Sequence, residues 1–309
     1  MTTNYAVGEN RVTFFSADYQ IVALLFLPPN FSSSESYPAV TITPPVTGVK
    51  EQTVSVYARA LALQGYVTIT YDQRGWGESE GPTFRANPYE FIEDVRSAVS
   101  FLRTLPFVDN DSIHGMGICI GSGIAAVAAA YDGRVKSLAV VSAYLEAGDI
   151  AFSALGAKGL REMMAGLAPA RDALFQNNET VLIKPVPETE QEVENEPDPV
   201  AVGMRDYYLP GMPGSTLNWH NRISPISYES VLSFSVFHHI RMFEAIPTFH
   251  AYGSEAISRH GAERFFNEAS GPKKRLIIEG AGHFDMYWRP ECVNPTVEAI
   301  SAFFANIDA

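Results

Sequence analysis

Cys119 stands at the centre of Gly117-Ile118-Cys119-Ile120-Gly121, with an apolar run before it and the small-residue run IAAVAAAY after it. Strand, sharp turn and helix in that order make G-x-S-x-G a nucleophile elbow, here with a thiol in place of the hydroxyl. Glycines flank the nucleophile because its strained backbone is wedged between strand and helix, where a Cβ would clash. The turn lifts the sulfur above the sheet edge and aims the Ile120 N–H at the same spot. One loop then supplies a nucleophile and half an oxyanion site. The dipole of the following helix is expected to lower the thiol pKa. Free cysteines are often plain core residues, but the strand–helix context favours the nucleophile. Ser122, a rival hydroxyl, lies in the helix's first turn, where serine satisfies backbone amides.

His283, in the turn Gly280–Phe284 after a late apolar run, is the base placed to take the thiol proton and return it to a leaving group. A carboxylate would hold its tautomer. Glu255 follows the run IPTFHAYG, so nucleophile, acid and histidine come in the order 119, 255, 283. The slot three residues past Gly253, where an aspartate is expected, holds Ala256, and Glu146 or Asp149 are alternative acids. Asp285 reads as a cap for the turn after His283. A second oxyanion amide is expected from Val46 or Thr47, in the loop after the strand AVTIT.

These positions need a sheet to carry them. Residues 11–27 read as an edge hairpin, and AVTIT, VTITYD, the run before Cys119 and VKSLAVVSA as buried strands. Helices fall between them, one with Val54, Tyr57, Ala58 and Leu61 at helical spacing, another opening at Asn87-Pro88. Such alternation predicts a mostly parallel, eight-stranded α/β sheet covered by helices on both faces. The loop from Asp72 to Ser79 reads mainly as scaffold, with Asp72 and Arg74 expected to pair, and Trp76 is its one candidate to face the site. The alternation breaks over residues 145–240, which pass from helix formers through an acidic, proline-rich run to an aromatic segment. That block is read as an inserted cap on a core of residues 1–144 and 241–309. Tyr207, Tyr208, Trp219 and Phe237 are its candidate substrate contacts, although any one of them is as readily the cap's own core, and Tyr144, at the end of the core segment, is a further candidate. Strand, helix and strand resume at residue 246, and a terminal helix follows.

The 309 residues carry a net charge of −13, which argues against nucleic acid or an anionic membrane as partner. Two cysteines, Cys119 and Cys292, make no disulfide framework. No signal-like start and no run of 18 apolar residues occurs, so a cytoplasmic enzyme is expected. Zinc-type spacing is absent as well, and neither a metal nor an organic cofactor is called for. The sequence leaves homo-oligomerisation open.

Five segments resemble the α/β-hydrolase superfamily, nearer its dienelactone-hydrolase-like and YcjY-like branch than the lipases. PPVTGVKEQ is similar to that branch's H-P-x-G-G-V-K-E-Q loop, and YDQRGWGESEG, GICIGSG, NRIS and GAGHFDMYW match it too. Pro44 stands where the branch has histidine, in a loop that works through its backbone. Dienelactone hydrolases also use cysteine in G-x-C-x-G, and the YcjY-like branch includes fungal enzymes that transfer or cyclise polyketide acyl chains. The resemblance implies a cysteine-dependent acyl hydrolase acting on an ester, lactone or thioester of a small to medium apolar compound. An acyltransferase or cyclase of secondary metabolism is the second reading, and a ligand-binding module on a hydrolase fold the third.

Overall fold

The structure, a computed structural model, describes residues 5–195 and 199–309. Residues 196–198, part of the acidic run, lie outside the described residues, as do residues 1–4. The chain opens with the expected antiparallel hairpin, β1 (Gly8–Ser16) and β2 (Tyr19–Leu27), turning at Ala17. Strand and helix then alternate through β3 (Tyr37–Thr43), α1 (Thr53–Leu63), β4 (Val67–Tyr71), α2 (Pro88–Arg103), β5 (Val108–Ile118), α3 (Ile120–Ala130) and β6 (Leu138–Val141). Asn87 caps α2 by accepting from the Tyr89 N–H at 3.2 Å, with Pro88 in the first turn.

Five helices and a 3₁₀ helix follow before the sheet resumes. They are α4 (Ala147–Ala165, broken at Gly156), α5 (Ala168–Asn177), α6 (Glu190–Asn195), α7 (Pro199–Tyr208) and α8 (Ser227–Ser233), with the 3₁₀ helix over Val236–Glu244. The chain ends with β7 (Thr248–Gly253), α9 (Arg259–Glu268), β8 (Lys273–Ile278), α10 (Asp285–Trp288) and α11 (Pro290–Asp308).

The eight strands lie in the order β1-β2-β4-β3-β5-β6-β7-β8, and β3 to β8 run parallel. Apolar side chains cover both faces. On one, α2 and α3 bury Phe91, Val95, Val99 and Ile124. On the other, α1 and α11 bury Val54, Tyr57, Leu61, Ile300 and Phe304. The α/β class and mostly parallel sheet therefore follow the sequence expectation. Among the described residues no helix is long and apolar enough to cross a membrane, and no cluster of histidine, cysteine or carboxylate side chains is arranged to hold a metal.

Two expectations for the loop after β4 need correction. Trp76 packs into the core, edge-on to Phe84 at 5.5 Å between centroids, and does not face the site. Arg74 does not pair with Asp72. Its Nε donates to Asp94 Oδ1 at 2.9 Å, while Asp72 receives the buried Lys50 ammonium at 2.8 Å. A lysine from the preceding loop reaches Asp72, and α2 supplies Arg74 with its own carboxylate.

The parallel strands bring three loops to their carboxyl ends, where glycines let the backbones touch. A Cβ on Gly117 would fall deep inside van der Waals contact with Gly121 and Ser122, and one on Gly121 would strike the Pro44 carbonyl. Gly253 meets the Ala281 carbonyl in the same way. Replacing Gly121 with alanine must push the elbow and the Pro44 loop apart. Urea unfolding of Gly121→Ala is expected to show a loss of about 2 kcal/mol or more, in the range of overpacked backbone contacts. A change under about 0.5 kcal/mol, the size of an unremarkable surface substitution, would mean that the two loops do not meet there.

Candidate active site

Cys119 sits between β5 and α3 with φ +59° and ψ −129°, a conformation that L-residues rarely adopt. The surrounding backbone holds it there. Its N–H donates to Val141 O at 3.1 Å, and its carbonyl accepts from Ser122 N at 3.1 Å and Tyr144 N at 3.2 Å. Ser122 Oγ donates to Gly117 O at 2.8 Å, so this hydroxyl closes the elbow and is not a rival nucleophile. The Ile120 N–H is directed at the Cys119 sulfur. Val46 and Thr47 line the same cavity as Cys119, and among the described residues neither amide donates to another protein group.

The loop that carries Val46 and Thr47 is tied down by charge. Lys50, about 1% exposed, places its ammonium 2.8 Å from Asp72 Oδ2, 2.7 Å from Glu78 Oε2 and 2.8 Å from Glu51 Oε1. Its backbone N–H also donates to Asp72 Oδ1 at 2.7 Å. Burial alone would lower the Lys50 pKa, but the carboxylates outweigh it and the group is held firmly protonated. Gln52 connects the same loop to the segment before α8, its Nε2 donating to Gly214 O at 2.6 Å.

His283 lies in the turn after β8, and its carbonyl accepts from Ser142 Oγ at 2.9 Å. Nδ1 is 2.8 Å from Ser258 Oγ, and Nε2 is 3.0 Å from the Tyr287 hydroxyl. That hydroxyl also interacts with the Cys119 sulfur. The groups thus follow one another as Cys119 Sγ, Tyr287 Oη, His283 Nε2, His283 Nδ1 and Ser258 Oγ. Thiol and imidazole are linked through a phenol, and the imidazole rests on a hydroxyl. Burial pushes the His283 imidazole down to about 3, with no charged neighbour to oppose it. Burial pushes the thiol up to about 11, while Tyr287 and the Ile120 N–H pull it back only in part. Desolvation outweighs the helix dipole here, and the expected lowering of the thiol pKa is overturned.

The acid expected at Glu255 is also corrected. Its side chain is exposed, while its backbone N–H donates to Ala281 O at 2.9 Å. Beyond Gly253 the chain turns, Ala256 N donating to Gly253 O, and Ser258 is the residue that faces the imidazole. The alternative acids are committed elsewhere. Glu146 binds His260 Nδ1 at 2.7 Å and Arg264 at 3.1 Å, and Asp149 binds Arg264 at 3.1 Å. Asp285 does not cap the following turn as expected: it accepts from Gly282 N at 2.8 Å, closing the turn that holds His283, and pairs with Arg289 at 2.8 Å.

The cavity over Cys119 measures about 60 Å³. Tyr144 and Tyr208 reach it, with Tyr144 edge-on to His283. The other aromatic candidates do not. Tyr207 packs behind the wall against Tyr287 and Gly214, Trp219 stacks on the far side of Tyr208, and Phe237 lies under the Arg264 guanidinium. Sequence reading missed Tyr287, Ser258, Phe284 and the face of α7 carrying Val200 and Met204. Tyr287 had a usable signal, since it falls four residues after His283, one helical turn away.

Residues 24–292 match the family described as alpha/beta hydrolase. The chain is 31% identical over 306 residues to YcjY of Escherichia coli K12, covering 96% of this chain and 98% of that one. It is 23% identical over 311 residues to the acyltransferase drtE of Aspergillus calidoustus, covering 96% of each. It is 26% identical over 278 residues to a thiohydrolase of Eupenicillium brefeldianum, covering 83% and 82%. The crystal structure of PA2218 from Pseudomonas aeruginosa superposes with a TM-score of 0.83 at 26% identity, over 97% of this chain and 94% of that one.

A thiol raised to about 11 ionises only as pH rises toward that value, so its reactivity should climb without levelling off near neutrality. Iodoacetamide labelling of Cys119, read by peptide mass, is expected to accelerate about tenfold per pH unit from pH 7 to 9, as a single ionisation requires. Ser258→Asp puts a carboxylate behind the imidazole, stabilises the imidazolium–thiolate pair and should move this profile to lower pH. A plateau below pH 8 in the wild-type protein would contradict the neutral resting pair.

Proposed function

The chain belongs to the α/β-hydrolase family and is an enzyme, and from that premise we propose that it moves acyl groups through a thioester on Cys119. The unbroken line of contacts from Cys119 Sγ through Tyr287 Oη to His283 Nε2 carries this reading. As the sulfur attacks the substrate carbonyl carbon, its proton passes to Tyr287 Oη while the phenol proton passes to His283 Nε2. The displaced C=O electron pair settles on oxygen, facing the N–H of Ile120 and that of Val46 or Thr47. The bond from carbon to the leaving oxygen or sulfur then breaks, and the leaving atom takes the proton back from Nε2 along the same line. Water attacking the thioester in the same manner releases free acid and restores the thiol.

The substrate class is an ester, lactone or thioester of a small to medium apolar compound, in keeping with walls made by Val46, Ile120, Met204 and Phe284. A neutral imidazole is the form able to accept the proton at pH 7, and no cofactor enters any step. Depression of the His283 pKa also sets an acid limit. Neutral His283 contributes stability above its unfolded pKa of about 6.5, and that contribution drains away as pH falls toward about 3.

A second reading replaces water with a substrate hydroxyl, amine or carbanion. The narrowness of the cavity and its apolar walls favour it, because an acyl-cysteine survives to meet such an acceptor only where water is scarce. Among the relatives, one named an acyltransferase and one named a thiohydrolase are consistent with the two outcomes.

Incubation with p-nitrophenyl esters, lactones and acyl thioesters, followed by intact-mass analysis, tests the reading. An acyl adduct is expected on Cys119 and none in Cys119→Ala. His283→Ala should slow acylation by about 10²–10⁴-fold, the usual share of a positioned base. Free acid as product marks hydrolysis, and a new C–O, C–N or C–C bond marks transfer. No adduct across the panel, or one confined to Cys292, would end the proposal.

A further inference from the structure

The cavity above Cys119 is far below the roughly 300–1,000 Å³ that small-molecule sites occupy, so a substrate must displace part of its wall. One face of α7 forms part of that wall. Val200, Met204 and Tyr208 follow one another at four-residue spacing and line the cavity together. Tyr208 is also, together with Trp219, among the walls of a second pocket of about 550 Å³. Its ring is stacked on that of Trp219 at 5.0 Å and nearly parallel, so two aromatic rings, Tyr208 toward Cys119 and Trp219 behind it, stand between the two spaces.

The larger pocket has two kinds of wall. Leu182, Ile183, Leu209 and Trp219 are apolar. At the other extreme stand Lys184 and Arg222. Lys184 is matched by Glu188 at 2.5 Å. The exposed Arg222 adds a second cationic side chain to this polar wall.

We propose that this pocket is the substrate's antechamber, that Tyr208 is the swinging partition between it and Cys119, and that the substrate is an acyl chain whose far end carries an anionic group held at Arg222. The inference rests on Cys119 being the acyl carrier. It adds the direction of approach, the residue that controls it and the charge of the distal end.

Thiol-directed probes test the route without turnover. An alkyl methanethiosulfonate is attacked by the thiol sulfur at its divalent sulfur. The new disulfide forms, the bond to the sulfonyl sulfur breaks, and methanesulfinic acid leaves with the proton. Labelling of Cys119 by methyl and decyl reagents, and by sulfonatoethyl and trimethylammonioethyl reagents, is followed by peptide mass. Ser215→Trp, at the pocket rim, should slow decyl labelling about tenfold, the factor that ~1.4 kcal/mol of lost accommodation produces, with the methyl rate nearly unchanged. Tyr208→Leu should raise the decyl rate. Arg222→Glu should slow the anionic reagent relative to the cationic one. Decyl labelling indifferent to Ser215→Trp and Tyr208→Leu, or accelerated instead by Phe234→Ala on the opposite side of the elbow, would overturn the route. Equal effects of Arg222→Glu on both charged reagents would overturn the distal anion. Because these rates need no acyl transfer, a missing acyl adduct in the ester panel would count against the chemistry alone.

Discussion

The site depends on backbone lying against backbone at three glycines. Gly117 and Gly121 let β5 and α3 close around Cys119, and Gly121 lets the elbow rest on the Pro44 carbonyl. Gly253 admits the Ala281 carbonyl, which brings the His283 turn to the end of β7. No side chain lies between these segments to take up slack, so Cys119, the neighbouring amides and the His283 imidazole are held in fixed register. Residues in rare conformations complete the assembly. Cys119 and Ser142 both have positive φ, and Ser142 holds the carbonyl of His283. Strain of this kind persists where the surroundings over-determine it, as they do at these crossings.

Charge is distributed unevenly around this frame. Four ionised groups meet at Lys50, directly behind the Val46–Thr47 loop, yet the line from sulfur to Ser258 contains none. A buried, multiply bonded ammonium fixes the loop without entering the reaction. On the proposed mechanism the reacting groups remain neutral until substrate arrives, and charge separation is deferred to the transition state. Without a carboxylate the imidazolium receives less support than in an acid-backed triad. A sulfur nucleophile, intrinsically stronger than a hydroxyl, tolerates that loss better.

The frame was legible in the sequence because it is local and periodic. Alternating runs announced the strands, and G-x-C-x-G between strand and small-residue helix announced the elbow. His283 stood out by its Gly-rich turn. Less was legible where long-range packing decides. Ser258 reaches the imidazole because the chain turns after Gly253, and no spacing rule marks a serine as the partner of a distant histidine. The thiol's ionisation was misjudged since the helix dipole is visible in a motif and the surrounding burial is not. Trp76, Tyr207, Trp219 and Phe237 share the aromatic character of Tyr144 and Tyr208, and only the packing of α7, α8 and the 3₁₀ helix sorts them into wall, backing and core.

The cramped surroundings of Cys119 bear on its survival between turnovers. Peroxide attacks the ionised form of a sulfur and needs room to approach it, and the first product, a sulfenic acid, leads on to states that are not reversed. Cys119 is half-buried, its thiol pushed toward the protonated form and the cavity over it narrow, so both ionisation and approach are restricted. Restricted ionisation and approach both slow oxidation of a sulfur, so the surroundings that temper its reaction with small electrophiles also favour its reduced form, a shelter that a hydroxyl in the same place would not need.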